Sequence, residues 1–122
     1  MKIMKVSLLL LIILGLTFSV ALAKKHLPEE RGKTLFEDPK FAGGSKACNE
    51  CHPNGMGLEK AAGKKEFKIM GKTQKSLEEA VNFCIVNANM GKVIDAKSGQ
   101  MKDVVAYIKS LKGKVKQKAA GY

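Results

Sequence analysis

Two thiols and an imidazole stand together in Cys48-Asn49-Glu50-Cys51-His52. Three chemistries use these residue types at close spacing: a redox dithiol, a zinc site and covalent attachment of a haem. A redox dithiol of the thioredoxin kind sits in a βαβ pattern, which this chain lacks. A zinc site would need a fourth ligand, for which Cys84 is available. Haem attachment needs only what the pentapeptide provides. The two thiols add across the vinyl groups at one porphyrin edge, and the adjacent His52 is delivered to one axial face of the iron. The reading is therefore one covalent haem c on Cys48 and Cys51, with His52 as the proximal ligand.

The second axial position is open to several donors. Sulfur ligands suit such an iron and set its potential. Met56, Met70, Met90, Met101, Cys84 and the second histidine, His26, are the candidates. Met56 follows His52 too closely to reach the opposite face. Met70 comes early, Met101 belongs to an apolar helical stripe, and His26 is near the N-terminal lead. Met90 and Cys84 remain. A third, unpaired cysteine in an oxidising compartment calls for a role, although a small apolar residue on a buried helix is the competing reading.

The elements that must hold this motif follow from the rest of the chain. Of its 122 residues, the first 23 read as an export signal. Lys2 and Lys5 precede an apolar run from Val6 to Leu22, and Ala21-Leu22-Ala23 gives small residues where a signal peptidase cleaves. The competing reading is an uncleaved membrane anchor, since the run approaches spanning length. Cleavage after Ala23 predicts a periplasmic or otherwise exported protein. Export also makes three cysteines a poor disulfide framework and a good haem-binding set.

Residues 24–113 then form one small domain. Pro28 and the acidic residues after it start a helix over Glu29–Phe36, which Asp38-Pro39 ends. Residues 58–75 carry six lysines and weak periodicity, and read as a loop. Ser76-Leu77-Glu78-Glu79 is a capping box that opens a helix closing near Asn87–Asn89. Ser98 caps a last helix whose stripe is Met101, Val104, Val105, Ile108 and Leu111, with Gly113 as its stop. Residues 114–122 are a basic tail. No strand pattern is evident, so the expected class is all-α.

Together these features resemble a class I c-type cytochrome with one haem. Gly32 and Phe36 match the small-and-aromatic pair on that family's first helix, and Tyr107 matches the aromatic on its last. The resemblance implies three to four helices around the haem, first and last helices that cross closely, and a sixth ligand at Met90. It implies an electron carrier rather than an enzyme. A second, partial resemblance is to haem domains of thiosulfate-oxidising cytochromes, carried by Val81-Asn82-Phe83-Cys84-Ile85 and continuing to Met101. It implies ligation by Cys84 and sulfur-compound oxidation. The chain departs from that pattern in having Asn87 where an arginine is expected and a single haem motif.

The net charge of +11 falls to +9 once Lys2 and Lys5 are removed with the signal. Such a charge suits a redox partner protein with an acidic docking surface. Nucleic acid is the weakest candidate partner for an exported chain. Membrane association is expected only through an uncleaved signal, and the carrier is expected to be a monomer.

Overall fold

The computed structural model describes residues 26–114. The expected signal segment, residues 1–23, lies outside that range, as do residues 24–25 and 115–122. Among the described residues, four α-helices and a two-stranded sheet are present. Helix α1 is Pro28–Glu37, α2 is the single turn Cys48–Cys51, α3 is Leu77–Asn87 and α4 is Gly99–Ser110. Strands β1, Phe67–Ile69, and β2, Lys72–Gln74, pair antiparallel.

Each helix starts for a visible reason. Pro28 opens α1 without wasting a donor, and the Leu27 N–H donates to the Glu30 carboxylate at 3.3 Å. Ser76 caps α3 by accepting from the Glu79 N–H at 3.1 Å. The returning half of the capping box shifts by one residue, since Glu79 accepts from the Lys75 N–H at 2.8 Å. Ser98 caps α4 in the same way, accepting from Met101 at 3.2 Å. The last helix ends at Ser110, and Gly113 stands in the left-handed region just beyond it (φ 72°).

Helices α1 and α4 make the principal contact of the domain. A Cβ placed on Gly32 would lie 1.9 Å from the carbonyl oxygen of Asp103 and 2.8 Å from Tyr107 Cβ. The two backbones thus meet where a side chain is missing. One turn along, Phe36 and Tyr107 pack edge to face with ring centroids 5.0 Å apart. At the flank Arg31 donates to both carboxylate oxygens of Asp103, each at 2.8 Å. The core continues through Met101, Val104, Val105, Ile108 and Leu111 of α4 and Ala80, Val81 and Ile85 of α3.

The described residues are mostly helical, in line with the expected class, but the expectation of a strandless loop over 58–75 is corrected here. That segment holds a one-turn helix, Ala61–Gly63, and the β1–β2 hairpin. Phe67 is buried while Lys68 is exposed, and Met70-Gly71 makes the two-residue turn with both φ values positive (50° and 77°). This is the turn whose twist matches a hairpin, usually signalled by Asn-Gly or Asp-Gly. Three-residue strands are too short to show alternation, and a methionine in the first turn position hides the signal.

Replacing Gly32 by Ala should force α1 off α4, because the obstacle is backbone. Any gain in helix propensity is smaller than that clash. We expect about 2–3 kcal/mol of destabilisation, measured by chemical denaturation; an unchanged or raised midpoint would contradict the close approach.

Candidate functional site

The pentapeptide folds so that its reactive groups share one side. In α2 the His52 N–H donates to the Cys48 carbonyl at 3.0 Å, closing a single helical turn. Residues three apart on such a turn lie on one face, which brings Cys48 and Cys51 together. The start of the turn is held by Glu50, whose carboxylate accepts from the Ala47 N–H at 3.1 Å.

His52 is oriented by the turn after it. Its Nδ1 is 2.9 Å from the Met56 carbonyl oxygen. A carbonyl only accepts, so Nδ1 carries the proton and Nε2 keeps its lone pair for a ligand. The bend that brings Met56 round uses Asn54 and Gly55, both at positive φ (53° and 79°). Asn49 fastens it by accepting from the Asn54 N–H at 2.9 Å. A Cβ on Gly55 would lie 2.3 Å from Leu111 Cδ1, so this bend is packed against the residue that ends α4.

Cys48, Cys51 and His52 line a half-open cavity of about 300 Å³. Its other walls are largely apolar. Helix α3 contributes Leu77, Ala80, Val81 and Cys84, a stripe at helical spacing that its C-cap, Ala88, extends. Helix α4 adds Val104 and Ile108, α1 adds Phe36, and the hairpin side adds Phe67 and Ile69. Cys84 therefore faces the same space as the pentapeptide. Among the described residues no three His, Cys, Asp or Glu side chains converge closely enough to hold a metal ion by themselves. The donors are instead spread around the cavity wall.

The remaining sulfur candidates lie elsewhere. Met90 is 68% exposed and is not on the cavity wall. Its loop is fastened on both sides. The Asn89 N–H donates to the Cys84 carbonyl at 3.0 Å, Gly91 to that of Ile85 at 2.8 Å and Lys92 to that of Ala42 at 2.9 Å. The Asn82 side chain further binds the Ile94 backbone through both its amide groups, at 2.9 and 3.0 Å. Met70 is 75% exposed at the hairpin turn, Met56 is 53% exposed, and Met101 is fully buried in the core. His26 is exposed and pairs with Glu30 at 3.2 Å.

One participant carried no sequence signal of its own. Asn89 is only 4% exposed and lines the cavity. Its Nδ2 donates to Cys48 Sγ at 3.3 Å, and its carbonyl accepts from the Ser45 N–H at 2.9 Å. It so joins the loop before α2 to the loop after α3. Burial raises the Cys48 thiol above its ordinary pKa, and the Asn89 hydrogen bond opposes that rise. Burial raises Cys84 too, with smaller contributions from Cys48 and Cys51. Cys51 is exposed.

No protein-family model matches this chain, and neither a curated protein nor a solved structure is found to be similar to it.

Thiolate is the reacting form in alkylation. With all three thiols free, the exposed Cys51 should react first with iodoacetamide at pH 8. Rates at Cys48 and Cys84 should keep climbing above pH 9, since a raised pKa postpones their ionisation. Asn89→Ala should slow Cys48 relative to Cys84. Peptide mass mapping over time reads all of this, and equal rates at the three sites would contradict the burial described.

Proposed function

We propose that this chain is an exported single-haem c-type cytochrome that passes single electrons between protein partners. The observation that carries the reading is the shared cavity of Cys48, Cys51 and His52, with His52 Nδ1 committed to the Met56 carbonyl. Haem, when bound there, supplies a one-electron iron couple. The chain's own residues supply everything else. Cys48 and Cys51 fix one edge covalently, and the Nδ1–H tautomer of His52 presents Nε2 as a ligand. Phe36, Leu58, Val81, Val104 and Ile108 give the pocket apolar walls, which would favour the less charged state of a redox centre held there. The close contact of α1 with α4 at Gly32 and the Phe36–Tyr107 pair support likeness to the class I cytochromes. The two-stranded hairpin is an addition to the helical pattern that likeness implies.

The position of Cys84 favours a second reading of the sixth ligand. It lies on the cavity wall, while Met90 stands outside on a fastened loop. We therefore place Cys84 ahead of Met90 as the distal ligand in this proposal. Thiolate ligation favours the oxidised iron and is compatible with a haem unit acting in sulfur-compound oxidation. The absence of arginine at Asn87 weakens that enzymatic version, and electron transfer remains the preferred function.

Expression with a cytochrome c maturation system should yield one covalent haem per chain, read by pyridine haemochrome and intact mass. Cys48→Ala together with Cys51→Ala should abolish attachment. Cys84→Ala should then destroy the low-spin spectrum, whereas Met90→Asn should leave it intact. Met90 sits at φ 62°, a region asparagine tolerates better, so this change should also be neutral or stabilising by up to about 1 kcal/mol. Loss of the low-spin spectrum in Met90→Asn alone would return the ligand to Met90. A wild-type chain that takes up no covalent haem would end the proposal.

A further inference from the structure

The cavity wall is apolar over most of its extent, yet two lysines, Lys64 and Lys68, stand on it. Both are exposed residues, and a lysine can lay its stem along apolar surface while its ammonium group stays in water. The fold places each of them. The Lys64 N–H donates to the Ala61 carbonyl at 3.2 Å, ending the one-turn helix. Lys68 is the middle residue of β1 and pairs with Thr73. Among the described residues the ion pairs involve His26, Arg31 and Lys33, and neither cavity lysine is engaged. No Asp or Glu lines the cavity. The acid between the two lysines in sequence, Glu66, is exposed and off the wall.

A largely apolar cavity with two unpaired cations among its lining residues has the complement of an amphipathic ligand bearing acid groups. A carboxylate pressed against apolar wall loses hydration and requires a countercharge. We infer that Lys64 and Lys68 form an anion-binding end of this cavity and pair with the two propionate carboxylates of the bound haem. This rests on the haem reading above. It separates these two lysines from Lys60, Lys65, Lys72 and Lys75, which are absent from the wall and contribute to the overall positive field alone. The other titratable residues on the wall are Cys48, Cys51 and His52, engaged by attachment in that reading, and Cys84, which is common to every protein compared below.

The holoprotein is compared with Lys64→Gln/Lys68→Gln and with Lys72→Gln/Lys75→Gln, which removes the same charge away from the cavity. Midpoint potential is followed against pH. A paired carboxylate holds its proton weakly, so losing the two cavity lysines should strengthen proton binding about tenfold. The redox-linked ionisation then moves up by about one pH unit, while the control pair moves it far less. In the unmodified holoprotein, Lys64 and Lys68 should be acetylated several-fold more slowly than Lys72 and Lys75, which tests the pairing without any substitution. Equal shifts in the two double variants, or equal acetylation of the four lysines, would overturn the assignment. A wild-type chain without covalent haem would instead overturn the reading of the cavity, and haemochrome quantification separates that result from failure of the lysine pairing.

Discussion

The approach of α1 to α4 is limited by one missing side chain, and the positions of the remaining walls depend on it. Gly32 lets the α1 backbone come against the Asp103 carbonyl, and that depth lets Phe36 reach both Tyr107 and the cavity. The α4 residues then divide their duties. Val104 and Ile108 face the cavity, while Met101, Val105 and Leu111 fill the core away from it. The bidentate Arg31–Asp103 pair fixes the rotation of one helix on the other more than it stabilises the contact, because it is partly exposed. Leu111 carries the same constraint to the far side, where its methyl groups abut Gly55 in the bend that orients His52. The helix crossing and the imidazole are therefore mechanically linked through α4.

A domain with 89 described residues has little core to spare, and this one keeps about 300 Å³ of its interior as a cavity with apolar walls. Small chains commonly rely on a staple when burial alone is insufficient. The proposed covalent cofactor would serve that role along with its chemistry, since Cys48, Cys51 and the walls from α1, α3, α4 and the hairpin would share one rigid partner. On this view attachment and folding reinforce each other. The thiol end is already organised, with Asn89 holding Cys48 and Met56 holding His52.

Much of this was legible in local sequence. Pro28, Ser76 and Ser98 marked helix starts because capping is a short-range, residue-specific interaction. The stripe on α4 was visible because twelve residues are enough to show a helical period. Gly32, Phe36 and Tyr107 marked a close helix contact. The hairpin was not legible, since its strands have three residues each and its turn uses Met70 in place of asparagine. Asn89 was equally silent. An asparagine after a helix ordinarily reads as a terminator, and its contact with Cys48 spans 41 positions. The two lysines on the cavity wall were hidden for a related reason: six lysines in one segment look alike until the fold selects two of them.

In the proposed haem site, fold more than residue type would select the sulfur donor. The proposed likeness to class I cytochromes would favour methionine, and four methionines besides the initiating segment's lie in the described chain. Three of these, Met56, Met70 and Met90, are exposed, and Met101 is sealed in the core. Moving Met90 to the cavity would disturb a loop held by backbone bonds from Gly91 and Lys92 and, further on, by the Asn82–Ile94 pair. Cys84 needs no such movement because Leu77, Ala80, Val81 and Ala88 already set its face of α3 toward the space. Its raised thiol pKa is a cost of placing it there without a cation. A bound ferric iron would reverse that cost by favouring the thiolate, and the same burial that suppresses the free thiolate would then strengthen its attraction to the metal.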